Sequence, residues 1–193
     1  MTILAPPRAP IVEDALAVAK QWCAGRTIDD RPALTHAARV AVTVGEHRPD
    51  VDVDVVAAAL LQDAPEFAPV SLKLDQFLEY RFSPEVRRLI RGMQSEHEAM
   101  DRGKPFIPDL ADSHLMLLSV ADKVVALRSL LRRADLFGDV TAFFARRRPL
   151  LDLLAFFRTY QRTSMGAVPT TLSLALDAAL ADLAQATATV PRA

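Results

Sequence analysis

The chain has 193 residues, 51% of them hydrophobic and 24% charged, with a net charge of -1 and a single cysteine. That is enough chain for one globular domain with a sizeable core. The near-neutral balance gives no global field to draw in nucleic acid or an acidic membrane, although local basic patches stay open. One cysteine excludes an intramolecular disulfide and fits a reducing compartment, and Cys23 among apolar neighbours reads as core filler. The first ten residues contain three prolines and no continuous apolar run, so no signal peptide is expected, and no stretch approaches a membrane span. The expected location is the cytoplasm. The preference for Ala, Arg and Asp suggests a bacterial source.

Helical periodicity runs along almost the whole chain. Residues 11–24 carry apolar side chains at 11, 12, 15, 16, 18, 19 and 22, a helix with a broad buried face. Residues 26–32 are polar and read as a loop. A second helix, 33–46, carries His36. Pro49 and the Asp50, Asp52 and Asp54 cluster mark a turn and a helix start favoured by the helix dipole. Residues 54–63 form the most apolar helix, which belongs at the centre of the domain and which Pro65 ends. A short helix spans 72–80. Ser83-Pro84-Glu85 is a helix start: an N-cap serine, a proline at the first helical position and an acid in the first turn. That helix runs to about residue 98. A loop over 101–108 leads to the longest helix, 109–133, which carries Asp122. Gly138 breaks the chain, 139–163 is helical and broken or kinked at Pro149, and 170–187 is a last amphipathic helix.

The expectation is an all-α, single-domain helical bundle of about eight or nine helices. Its parts are an N-terminal segment 1–10, a helical domain 11–163, a C-terminal helix within 164–187 packed on it, and a tail 188–193. No internal repeat or low-complexity tract is visible.

Three polar residues lie on strongly apolar helices. His36 shares its helix with Val40, Val42 and Val44. Asp63 ends the apolar helix. Asp122 lies between Leu117-Leu118-Val120 and Val124-Val125-Leu127. A buried carboxylate needs a partner, a hydrogen-bond network or a cation. Imidazole with carboxylate oxygens suits Mn, Fe, Zn or Mg. Taken singly, each residue reads more readily as a member of a structural network than as a metal ligand.

Four ordered segments carry a resemblance. Arg31-Pro32-Ala33-Leu34-Thr35-His36 is similar to an x-Pro-Tyr-x-x-His segment. Ala57-Ala58-Ala59-Leu60-Leu61-Gln62-Asp63-Ala64-Pro65-Glu66-Phe67 resembles Ala-Ala-Leu-Leu-His-Asp-x-x-Glu-Asp. Phe82-Ser83-Pro84-Glu85-Val86-Arg87-Arg88-Leu89-Ile90 resembles Phe-Gly-x-x-Val-x-x-Leu-Val. Ala121-Asp122-Lys123-Val124-Val125-Ala126-Leu127-Arg128 resembles Ala-Asp-Lys-Leu-x-Asn-Leu-Arg. These are the motifs of the HD-domain superfamily, in the form carried by RelA/SpoT-type (p)ppGpp hydrolases, and Leu153-Leu154-Ala155-Phe156-Phe157-Arg158 resembles a later helix of that family. The resemblance covers about residues 11–160.

It implies a metal-dependent phosphohydrolase acting on a nucleotide or small phosphoester. It implies a divalent ion, manganese above all, held by His36, Asp63, Asp122 and the Gln62 position, with Glu66 and Asp63 catalytic. Arg26, Lys123 and Arg128 are implied on the substrate. Gln62 stands where the family carries histidine, Phe67 where it carries the second acid, Ala126 where it carries asparagine, Ala33 where it carries tyrosine, and Gln94 where it carries threonine. The family's basic loop is replaced by Arg26-Thr27-Ile28-Asp29-Asp30-Arg31, whose two acids oppose phosphates. An altered, weakened site is therefore expected, with (p)ppGpp itself not the substrate. The alternative is a catalytically inactive HD-fold module that binds a nucleotide or a protein. Arg146-Arg147-Arg148 with Arg132-Arg133 reads as a solvated face or a phosphate contact. One of His47, His97 and His114 stands as a spatial substitute for the lost ligand. A homo-oligomer stays open.

Overall fold

The structure is a computed structural model and describes residues 3–28, 31–188 and 190. The acidic pair Asp29-Asp30 therefore lies outside the described residues, as does most of the 188–193 tail. The chain divides into two compact units, Met1–Ser119 and Val120–Ala193, with the boundary inside one long helix.

In the first unit, α1 (Pro10–Trp22) is followed by β1 (Thr27–Ile28) and β2 (Arg31–Pro32), then α2 (Ala33–His47), α3 (Val53–Leu61), α4 (Ala64–Phe67), α5 (Leu74–Arg81), α6 (Pro84–Asp101) and the start of α7 (Ser113–Phe137). The segment read as a loop over 26–32 is a small antiparallel hairpin pairing Thr27 with Pro32 and Ile28 with Arg31. Two-residue strands carry no alternation, so nothing in the sequence announces them.

α3 is the packing centre of this unit. Every residue from Val55 to Leu61 is buried, and α1, α2 and α6 all pack against it. Burying Leu60 and Leu61 alone contributes about 1.5–3 kcal/mol each relative to exposure. Asp52 caps the helix, its carboxylate accepting the Asp54 N–H at 2.9 Å. Ser83 caps α6, accepting the Val86 N–H at 3.0 Å, and its hydroxyl donates to Asp54 Oδ2 at 2.7 Å. The two helices are thus tied at their starts. α6 also approaches α7 closely at Gly92, where a Cβ would lie 2.8 Å from both δ-carbons of Leu115.

The second unit contains the rest of α7, then α8 (Val140–Ala145), α9 (Arg148–Asp152), α10 (Leu154–Ser164) and α11 (Thr170–Ala186). Gly138, at φ 83°, turns the chain at the end of α7, a conformation that favours glycine. The segment 139–163, expected to be helical and broken or kinked at Pro149, is three helices, with one break just before that proline and another at Leu153. Pro149 sits in the first turn of α9, where its missing N–H costs nothing. α10 and α11 pack on each other through Phe157, Tyr160, Leu172 and Leu176, with an Arg158–Asp177 ion pair at 3.1 Å on the outer side.

The described residues form eleven helices rather than eight or nine. The surplus is α4, α8 and α9, pieces of four to six residues too short to show a period. The all-α class stands.

Candidate functional site

α3 ends one residue before the pair that drew attention in the sequence. Gln62 is its C-cap, and Asp63 precedes the single turn of α4, which carries Pro65 and Glu66. Pro65 therefore restarts a helical turn rather than stopping one. That turn brings Gln62, Asp63, Pro65 and Glu66 to one wall of an open cleft of about 180 Å³. The opposite wall comes from the second half of α6: Gln94, His97, Glu98 and Asp101. Both helices start at the Asp54–Ser83 hydrogen bond and both end at this cleft, so they run side by side in the same direction.

The lining has four carboxylates, two amides, one imidazole and one proline, with no lysine or arginine. Gln62 is almost fully buried, Asp63 half-buried and Glu66 exposed. On the α6 side, Gln94 Nε2 donates to Glu98 Oε1 at 2.7 Å, and the Gln94 side-chain oxygen accepts from Arg91. Behind this wall Glu96 is wholly buried and accepts the Ser119 hydroxyl at 2.6 Å. The charge of Asp63 also reaches Cys23: burial first, then Asp63, pushes its thiol up to about 11. That keeps Cys23 a thiol at neutral pH and matches its reading as filler.

The remaining expected site residues are placed as follows. His36 is buried on α2 and is not part of the cleft lining. Arg26 is exposed, with its guanidinium 6.0 Å from the Phe67 ring, and Phe67 itself is buried outside the lining. Asp122 and Lys123 belong to the second unit and are both buried. The Lys123 ammonium lies 4.5 Å from the Tyr160 ring centroid, a cation–π contact. Arg128 is exposed on the same helix. The α6 wall is what sequence reasoning left largely unassigned. Its signal was present, because 94, 97, 98 and 101 recur at helical spacing along a stripe beside the buried face of Val86, Leu89, Ile90 and Met93.

Three buried side-chain atoms with no hydrogen bond are His36 Nδ1, Gln62 Oε1 and Asp63 Oδ2, although each residue engages a neighbour in another way. Imidazole, amide and carboxylate are donors of the kind a hard or borderline divalent ion accepts. Their placement is a different matter. Among the described residues no group of three or more His, Cys, Asp or Glu side chains is positioned to hold a metal ion. The donor chemistry fits, but a ready-made shell is not present.

Residues 15–103 match the family model of the HD domain. The solved structure of a metazoan ortholog of SpoT that hydrolyzes ppGpp and plays a role in starvation responses superposes with a TM-score of 0.61 at 18% identity, covering 93% of this chain and 98% of that one. No curated protein sequence matches the chain. The HD-domain match covers a little under half of the chain. The fold as a whole is similar to that of the metazoan SpoT ortholog.

Proposed function

We propose that this protein is an HD-type phosphohydrolase acting on a nucleotide-type phosphoester, with a site weakened at Gln62. The observation that supports this reading is the cleft, in which Gln62, Asp63 and Glu66 share one wall. These are the residues that match the family's His-Asp and first acid. Four carboxylates with no lining cation repel a phosphoester, so an anionic substrate enters such a cleft only with a cation beside it. A divalent ion, when bound, supplies that charge and lowers the pKa of a coordinated water. His36, Gln62 and Asp63 are its proposed donors in the first unit, and manganese is the proposed ion.

The chain's own groups account for the rest. Glu66 is the proposed acceptor of the water's proton, reached from the solvent side of the cleft. His97 places an imidazole across the cleft from Glu66. Arg26, Lys123 and Arg128 are the proposed phosphate contacts. The substrate is proposed to differ from the ppGpp of the metazoan neighbour. Phe67 has lost the family's second acid, Ala126 its amide and Gln94 its hydroxyl.

A second reading, a non-catalytic HD-fold module that binds a nucleotide or a protein partner, is favoured by two observations. No metal-holding group is preformed among the described residues, and an apolar ring is packed under Arg26 where the family has an acid. One experiment separates the two readings. Metal content and phosphoester turnover with added Mn are measured on the native chain, on Gln62→His and on Asp63→Ala. Turnover that rises in Gln62→His and disappears in Asp63→Ala supports the hydrolase. Inert native and Gln62→His proteins, both free of metal, support the binding module.

A further inference from the structure

The second unit gathers positive charge in a short stretch. Arg132, Arg133, Arg146, Arg147 and Arg148 fall within residues 132–148, against Asp135 and Asp139. Asp139 is engaged as the cap of α8, accepting the Ala142 N–H at 2.8 Å. The arginines are organised by two rings. Arg147 lies 3.8 Å from the Phe143 centroid and Arg133 6.0 Å from the same ring. Arg146 lies 5.8 Å from Phe137, and the two ring centroids are 5.8 Å apart.

A guanidinium resting on an aromatic face uses its plane and leaves its N–H edges for oxyanions. Arg147 is further fixed by donating to the Phe143 carbonyl at 3.1 Å. Among the described residues no carboxylate forms an ion pair with Arg146 or Arg147. Phe137 is 49% exposed and Leu136 81%, so apolar surface adjoins the cationic groups. A merely solvated charge run would not gather three guanidinium groups on two touching rings.

We propose that Arg133, Arg146 and Arg147, arrayed on Phe137 and Phe143, form a binding site for a ligand with adjacent phosphate groups. Several bidentate donors in one patch match successive phosphates better than isolated carboxylates. This inference does not rest on the hydrolase reading. The ligand's source is a free oligophosphate or the backbone of a single-stranded nucleic acid, and the two separate by experiment.

The full chain is titrated with inorganic pyrophosphate by calorimetry and with a labelled single-stranded RNA oligonucleotide by fluorescence anisotropy. Arg146→Gln/Arg147→Gln is compared with Arg158→Gln/Arg162→Gln, which removes the same charge elsewhere in the unit. The expected result is binding weakened about tenfold or more by the first pair and by no more than about twofold by the second. Saturation by pyrophosphate identifies a free oligophosphate; binding of the oligonucleotide alone identifies a strand backbone. If the first pair fails to fold, Arg146→Lys/Arg147→Lys keeps the charge and removes the planar fork, and a loss of several-fold is still expected. Three results overturn the proposal: neither probe binds the native chain, the control pair loses as much affinity, or a polyglutamate peptide binds as tightly as the phosphate probes.

Discussion

Arg88 is the hub that fixes the start of α6, and Arg88→Gln tests how much that hub stabilises the first unit. Its Nε and Nη2 each donate to Glu85 at 2.8 Å, Nη2 reaches Asp112 Oδ1 at 3.2 Å, and Nη1 pairs with the other Asp112 oxygen. His114 Nδ1 adds a contact to Glu85 at 3.0 Å. The Arg88 hydrogen bonds, against an opposing effect of burial and with help from His114, hold the Glu85 carboxyl at about 2 instead of 4.5. At Asp112 burial pulls upward, but Arg88 and the Leu115 N–H outweigh it and the carboxyl is also lowered. Converted directly, the Glu85 displacement corresponds to about 3 kcal/mol. Its side chain is 32% exposed and that of Arg88 43%, so solvent screening cuts this to about 1 kcal/mol. Adding the two carboxylates left facing each other, Arg88→Gln is expected to cost about 1.5 kcal/mol at pH 7, a fall in Tm of about 3–6 °C. The sign with pH follows from the depressed acid. Its contribution is fully present above the ordinary carboxyl pKa of 4.5 and fades as pH falls through about 2. Thermal melts of both proteins from pH 7 down to pH 2 should therefore converge. A gap that stays constant down to pH 2 would show that Arg88 acts by packing its stem and not by charge.

Four further outcomes are expected. Gln62→His, a near-isosteric change at a residue 1% exposed, should move stability by less than about 1.5 kcal/mol while raising bound Mn per chain in elemental analysis. Ser83→Ala removes the α6 cap and the tie to Asp54, and should cost about 1–2 kcal/mol in chemical denaturation. Gly92→Ala should destabilise by about 1 kcal/mol or more, because Leu115, only 9% exposed, must yield to the new Cβ and helix propensity returns only about 1 kcal/mol. Cys23, with its thiol near 11 instead of 9.0, should react with iodoacetamide at pH 8 about a hundredfold more slowly than an unperturbed cysteine.

The frame of the first unit was legible because its signals are local. The Ser83-Pro84-Glu85 start, the Asp52 cap and the all-round apolar α3 each need only neighbouring residues to be recognised. The small hairpin was not legible, because it depends on pairing between Ile28 and Arg31. The break beside Pro149 could be read from the proline itself, whereas the second break at Leu153, between α9 and α10, had no such local signal. The cleft falls between these cases. The polar stripe of α6 can be read from spacing, but its facing partner cannot. The Asp54–Ser83 tie, 29 residues apart in sequence, and the packing of α6 on α3 set that stripe beside Gln62 and Asp63.

This arrangement also explains how the packing and the chemistry of the cleft are separable. On the proposed reading, Gln62 stands where the resembled motif has an imidazole; it is nearly fully buried and of similar volume, so the exchange would leave the packing of α3 intact while offering a metal a weaker donor. On the same reading, Phe67 stands where the resembled motif has an acid; it is buried with the Arg26 guanidinium 6.0 Å from its ring and would leave the α4 turn one negative charge short. α6 offsets that loss, since Glu98 and Asp101 add two carboxylates from the opposite wall. Four carboxylates in the lining favour a cation over an anion there. Under the proposed function a substrate with phosphate groups has to bring a positive partner with it, and Mn-dependent binding, measured apart from turnover, is the outcome expected most directly from that proposal.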